Sequence, residues 1–352
     1  MQTAGLKPPR TLTIAVTELC NLSCRHCWVK SGPGRKGTHV PRLQVERIIT
    51  EHISTGGREI RFTGGEPLCH PDIRKLLAFA CSCGLSRVIL QTNGHLLNHT
   101  LLKTLQQALY APLWLEISLD GATAESHDYI RGSGSFAGIS DLLRQLKRTG
   151  LSHRTTLQFT EMHHNLGEFP RLLQLAERYA ITEVRAGTLV RGGRAGTGSS
   201  TAAPLPQQYR ELARRYRRDT LFRQTYDRIG TMAALEWLKN PTERTGCCSF
   251  AEDTYLTADG RLYPCRMCHS DHHSVRRTWH KGLPAALREA MPFWAALQRQ
   301  KAERCRQIRA CRTCGAADAC SAGCMGRALA SCGSLDAADD RCEIRRAVLN
   351  IE

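Results

Sequence analysis

The sequence predicts an α/β fold: six strand–helix units building a parallel sheet, then a small cysteine-rich region. Two observations carry this. Strand-like runs alternate with amphipathic helical stretches as far as residue 186, and many of the 17 cysteines fall into an N-terminal and a C-terminal group. At 352 residues and 41% hydrophobic, the chain is long enough for two domains with a sizeable core.

The elements follow in order. Residues 11–17 alternate, are rich in β-branched side chains and end at Glu18, which reads as a strand. Val45, Ile48, Ile49 and Ile53 share one helical face. Residues 59–63 form a second strand, ended by Gly64 and Gly65, and residues 87–92 a third. Leu101, Leu102, Leu105 and Leu109 mark another helix. Residues 113–119, 153–159 and 182–186 complete the strands. Phe169, Leu172, Leu173 and Ala176 make a helix between the last two, with Pro170 suited to its first turn. Alternation of this kind implies parallel pairing with right-handed crossovers. Strand parity puts Glu116, Ser118 and Asp120 on one face of their strand, and likewise Arg61 with Thr63 on one face of theirs. These polar groups either line the interior of the sheet or form a buried ion pair.

The periodic pattern stops near residue 195, at the Gly/Ser-rich stretch 191–200. No P-loop Lys-Ser/Thr follows it, so it reads as a linker or an active-site loop. We therefore expect a core over 11–195, a helical Arg-rich bridge over 196–246 and a cysteine-rich domain over 247–345. The formal net charge is +17, and much of the excess sits in 210–218. That run is either a solvated helix face or a dock for an acidic partner. Nucleic acid is not expected, since no aromatic platform interleaves the basic residues. Residues 1–10 lack an apolar stretch, and no run approaches the roughly 20 apolar residues of a membrane span. A reducing cytoplasm is expected, where cysteines in this number argue for metal rather than disulfides.

Cys20, Cys24 and Cys27 follow the first strand with the spacing C-x3-C-x2-C. Three thiolates on one short loop can hold three irons of a [4Fe–4S] cube and leave the fourth open to a substrate or cosubstrate. The C-x2-C pair is also a zinc half-site, with His26 as a further donor, so zinc is the competing reading.

The triad resembles the signature of the radical S-adenosylmethionine (SAM) enzymes. That resemblance implies a partial (β/α)6 TIM-like barrel, in which the open iron chelates SAM and the reduced cluster cleaves it to a 5′-deoxyadenosyl radical. Further stretches agree in order. Gly64, Gly65, Glu66 and Pro67 are similar to the family's GGEP motif, which contacts the methionine ammonium. Thr92 and Asn93, and Ser118 and Asp120, resemble the strand ends that hold ribose and methionine. His26 stands where the backbone lies near adenine, and Arg131 where an arginine pairs with the SAM carboxylate.

The C-terminal third resembles the seven-cysteine SPASM pattern: Cys248, Gly260, Cys265, then Cys311-x2-Cys314-x5-Cys320-x3-Cys324, and Cys342. Carried over, Cys311, Cys314, Cys320 and Cys342 hold a distal auxiliary [4Fe–4S] cluster, and Cys248, Cys265 and Cys324 a proximal one. The proximal fourth ligand is open between Cys268, Cys247, Cys305 and substrate. Cys69, Cys81, Cys83 and Cys332 read as ordinary small residues. Auxiliary clusters accept an electron from a substrate radical, so the resemblance implies net oxidation.

SPASM enzymes mostly modify ribosomal peptides or proteins, and a few act on tetrapyrroles. The implied partners are a peptide or protein substrate, a reductant such as ferredoxin or flavodoxin, and a separate peptide-recognition protein. Arg266 stands where sulfatase-maturating relatives carry an acidic residue, and its charge suits a substrate carboxylate. A non-catalytic iron–sulfur scaffold would need the clusters but neither Gly64 to Pro67 nor Arg131.

Overall fold

The computed structural model describes residues 6–34, 36–197, 201–240, 251–320 and 322–350. Six strands follow the alternation: β1 (Thr11–Ala15), β2 (Glu59–Thr63), β3 (Arg87–Thr92), β4 (Leu113–Ser118), β5 (Thr155–Glu161) and β6 (Glu183–Thr188). β5 starts later than the sequence suggests because Leu151–Arg154 forms a 3₁₀ turn. The helices α1 (Arg42–Ser54), α2 (Ile73–Ser82), α3 (His99–Leu105), α4 (Ala124–Arg131), α5 (Ser135–Arg148) and α6 (Phe169–Arg178) carry the chain between strands. All six strands pair in parallel, in chain order.

Burial explains the periodicity. Val45, Ile48 and Ile49 of α1, and Phe169, Leu172, Leu173 and Ala176 of α6, are fully buried in one continuous core with Leu12, Ile14, Ile60 and Phe62. Each large side chain removed from water in this way contributes about 1.5–3 kcal/mol. Leu109 departs from the pattern: α3 ends at Leu105, and a 3₁₀ turn over Ala108–Tyr110 buries Tyr110 while exposing Leu109.

The sheet reaches beyond the alternating region at both ends. After α7 (Gly193–Thr197), α8 (Pro206–Arg218) and α9 (Thr220–Ile229), the chain forms β7 (Gly230–Met232), parallel to β6. After α10 (Ala233–Lys239) comes β8 (Asp253–Leu256), which pairs in parallel with β1, and then β9 (Leu262–Tyr263), antiparallel to β8. The order is β7-β6-β5-β4-β3-β2-β1-β8-β9, an open sheet that makes a partial barrel.

Short helices follow: α11 (Thr278–Lys281), the long α12 (Leu283–Gln307), α13 (Arg309–Arg312), α14 (Ala317–Cys320), α15 (Met325–Cys332) and α16 (Cys342–Leu349). α16 packs on α8 and α10. α8 buries Tyr209, Leu212, Ala213 and Tyr216, and turns Arg210, Arg214, Arg217 and Arg218 to solvent. Among the described residues no helix is long and apolar enough to cross a membrane.

Candidate active site

The Cys20–Cys27 loop leaves the C-terminal end of β1 and is fixed by its neighbours. Gly65 N–H donates to Thr17 O (2.8 Å) and Glu66 N–H to Leu19 O (2.7 Å). A Cβ on Gly64, whose φ is +145°, would stand 2.3 Å from Thr17 O, and one on Gly65 would stand 2.1 Å from Leu19 O. So the backbone these glycines admit is that of the cysteine loop itself. Glu66 caps the turn at Pro67. Its buried carboxylate accepts from Leu68 N (3.1 Å), Thr92 Oγ1 (2.7 Å) and Asn93 N (2.7 Å). Three of roughly four acceptor sites are thereby taken within the chain. Burial raises the Glu66 carboxyl to about 7, against the pull of these donors.

The thiols lie in this frame. Leu22 N–H points at Cys20 Sγ (3.4 Å), and Asn93 Nδ2 lies 3.9 Å from it while donating to Asn21 Oδ1 (2.8 Å). Burial pushes the Cys20 thiol up to about 12, with Glu66, Cys24 and Cys27 adding to the rise; Cys24 is also raised by burial. Among the described residues no three His, Cys, Asp or Glu side chains could hold a single metal ion. A cluster, by contrast, spreads its thiolates over separate irons. Three thiols on one loop, Cys24 buried and Cys20 with N–H groups turned to its sulfur, make a donor set that fits one.

Asp120 and Arg131 meet behind the loop. Arg131 Nε donates to Asp120 Oδ2 (2.7 Å), Thr160 N–H to Asp120 Oδ1 (2.8 Å), and His26 Nε2 lies 3.4 Å from Asp120 Oδ2. Burial alone would raise the Asp120 carboxyl, but Arg131, His26 and His127 outweigh it and hold it well below the carboxylate range. His26 is lowered by burial to about 4 and is neutral near pH 7. Arg131 and Asp120, read as SAM contacts, thus meet each other. Ser118 ends β4, half-buried and two residues from Asp120.

Glu116 and Arg61 form a buried ion pair rather than lining an open interior. Arg61 Nε and Nη2 each lie 3.2 Å from a Glu116 oxygen, and Arg61 Nη1 lies 3.3 Å from Asp253. Arg185 reaches Glu116 (3.3 Å) and Glu183. Arg266 joins too, with Nε 3.2 Å from Asp253 Oδ2. Its charge, expected for a substrate carboxylate, therefore has a partner inside the protein.

One contributor carried no local signal. Arg194, within the Gly-rich stretch, donates from Nε to Cys24 O (2.7 Å) and from Nη2 to Ser31 O (2.7 Å), and its N–H donates to Cys27 O (2.9 Å). Gly193 precedes it at φ +54°, where a Cβ would lie 2.4 Å from Trp28 O. The described part of this stretch is a brace on the cysteine loop, not a linker.

The C-terminal thiols form two groups. Cys265 is raised by burial and then by Cys268 and Cys324, which places these three together. Cys248 and the alternative Cys247 lie outside the described residues. Cys311 is raised to about 11 by burial and then by Cys305, Cys342, Cys320 and Cys314. Cys305, a candidate for the proximal set, thus lies with the distal one. Cys81 is buried and Cys332 exposed; the Cys69 thiol faces the N–H of Asn21.

A cavity of about 500 Å³ opens at the strand ends. Gly64 and Gly65 border it, as do Trp28 beside Cys27 and Met267 and His269 beside Cys268. Trp28 meets the His269 ring edge-on (centroids 4.6 Å), and Tyr255 and Tyr263 stack nearby (6.4 Å).

Known proteins are similar to this chain in sequence and fold. The chain is 29% identical to mycofactocin maturase MftC of Mycobacterium ulcerans over 349 residues, covering 96% of this chain and 89% of that one. It is 30% identical to the AdoMet-dependent heme synthase of Methanosarcina barkeri, over 56% of this chain and 55% of the other. The fold matches crystal structures of Streptococcus suis SuiB. For SuiB bound to S-adenosylmethionine the TM-score is 0.75 at 15% identity, covering 96% of this chain and 78% of SuiB. For SuiB bound to precursor peptide SuiA it is 0.74 at 16%, covering 97% and 77%. Residues 14–176 match the family model of the radical SAM superfamily. By that match, and by the thiol loop at the C-terminal end of β1, residues 14–176 are similar to the radical SAM superfamily, while mycofactocin maturase MftC is similar along nearly the whole chain.

Proposed function

We propose that this chain is a peptide maturase that oxidises an unactivated position of a ribosomal peptide or protein. The observation that carries this reading is the cavity at the strand ends. Trp28, next to Cys27, borders one side of it, and His269, next to Cys268, borders another. A substrate held there would touch the neighbours of both thiol groups. MftC, matched along nearly its whole length, is named a maturase, and SuiB is a structural relative seen with a precursor peptide. The heme synthase match stops near half of either chain, so a tetrapyrrole substrate has less support.

The cofactors are [4Fe–4S] clusters and SAM. In this reading Cys20, Cys24 and Cys27 hold the SAM-binding cluster. Cys265, Cys268, Cys324 and Cys248 hold the proximal auxiliary cluster, and Cys311, Cys314, Cys320 and Cys342 the distal one. Cluster and SAM together supply a 5′-deoxyadenosyl radical when reduced. The protein's own residues do the positioning. Asn93 orients the Cys20 side of the loop, and Glu66 fixes Thr92 and Asn93. Arg131 keeps Asp120 ionised. Trp28, Tyr255 and Tyr263 give the cavity an aromatic wall. A cytoplasmic reductant, a ferredoxin or flavodoxin, delivers the electron.

The test uses anaerobically reconstituted protein with SAM, dithionite and synthetic candidate precursor peptides. Wild type should form 5′-deoxyadenosine and change the peptide's mass. Changing Cys20, Cys24 and Cys27 to Ala should abolish 5′-deoxyadenosine and remove about 4 of about 12 irons. Changing Cys311 and Cys314 to Ser should keep SAM cleavage but stop product formation. Normal product yield from that variant, well folded and lacking the distal iron, would refute the oxidative role.

A further inference from the structure

We infer that Cys305 is a fifth thiol of the distal iron–sulfur site and a reserve ligand for the iron held by Cys342. The inference rests on the reading that Cys311, Cys314, Cys320 and Cys342 hold a cluster.

Placement carries it. Cys305 lies in the last turn of α12, half-buried, with Sγ 3.4 Å from Ala317 O. Ala317 sits between Cys314 and Cys320, so Cys305 reaches into the loop that carries three of the four expected ligands. The same side chain packs with Ile308, Cys311, Ala322 and Ala338 in a small apolar group apart from the main core.

The five thiols reach the site on three separate supports. Cys311, Cys314 and Cys320 share one short stretch. Cys342 opens α16, while Cys305 comes from α12, a separate helix. The adjacent Arg304 is fully buried and fixes that end of α12, donating to Gly323 O (3.0 Å) and Ala337 O (2.6 Å). A cube takes four thiolates, and here five are within reach. If Cys342 withdraws with α16, Cys305 stands on a rigid element beside the vacated iron.

The exchange balances without redox chemistry. The Cys305 thiol gives its proton to water and its sulfur bonds the iron. The Cys342 thiolate leaves and takes a proton. No electron moves, and the cluster charge is unchanged.

The test compares Cys305→Ala, Cys342→Ala and the double variant, each reconstituted anaerobically in the full chain. Iron and sulfide are counted, low-temperature electron paramagnetic resonance is recorded on reduced samples, and far-ultraviolet circular dichroism controls for folding. Both single variants should keep about 12 irons, and the double should lose about 4. Cys342→Ala should also shift the distal signal, because one iron has a new ligand. If folded Cys342→Ala loses as much iron as the double, or the double loses none, the inference is overturned. A folded Cys311→Ser, Cys314→Ser variant that keeps every iron would sink the distal-cluster reading beneath it.

Discussion

The two ends of this chain present thiols on very different supports. The N-terminal loop is held by strand ends and helices whose own packing is complete. Its backbone bonds run to Gly65, Glu66, Ile130 and Arg194. Among the described residues, Cys311 and Cys320 of the distal set sit on α13 and α14, four residues each, with Cys314 between them, beside an apolar group of five side chains. Helices that short do not persist on their own. The first site is therefore built before its cluster arrives, while the second is built largely by its cluster.

Removing iron should break this contrast open, and it is the largest effect expected. After anaerobic chelation, limited proteolysis should cut within residues 305–342 and leave 11–190 as a resistant fragment. Mass spectrometry of the fragments, beside circular dichroism, checks it. Simultaneous cleavage of both regions would show that the N-terminal loop also depends on its cluster.

The second prediction probes the core side. Asp120→Asn leaves Arg131 buried beside a neutral amide. Losing one partner of a buried pair costs about 3–5 kcal/mol, read by denaturant unfolding of the iron-free protein. The sign with pH follows from the direction of the shift. The folded pKa of Asp120 lies below its ordinary value of 3.8, so its stabilisation is complete above that value. It is lost as pH falls through the folded pKa. Wild type should show this acid loss and Asp120→Asn should not. Equal acid sensitivity in both would mean Asp120 is not the group responsible.

The same contrast explains what could be read from the sequence. Strands and helices of the core were legible because each buries a periodic face; α6 matches its pattern residue for residue. The thiol spacings were legible because ligands on one loop must be close in sequence. Less legible was whatever depends on distance in three dimensions. β7 and β8 are short strands that gain stability only from the strands they join, and by register those partners lie 46 and 242 positions back in the chain (Val184 with Gly230, Thr11 with Asp253). Arg61, Glu116, Asp253 and Arg266 come from four separate segments, so parity alone left an open interior and an ion pair equally possible. Cys305 stands outside any spacing motif, and only the fold shows which thiols it joins.

Arg194 offers the finest test, because it separates charge from geometry at the better-built site. Its guanidinium holds Cys24 O and Ser31 O, one on each side of Cys27. Hydrogen bonds from a charged donor contribute about 1.5–3 kcal/mol each when buried, less where water reaches them. The backbone bond from Arg194 N to Cys27 O survives any substitution, so the loop should loosen without unfolding. Arg194→Gln should release iron from the N-terminal cluster to a chelator several-fold faster, with C-terminal iron release unchanged. It should also lower that cluster's midpoint potential, since a nearby positive charge favours the reduced state. Arg194→Lys keeps the charge but reaches only one carbonyl. It should keep the potential near that of wild type and still release iron faster. Wild-type release from both variants would mean that strand ends alone hold the loop.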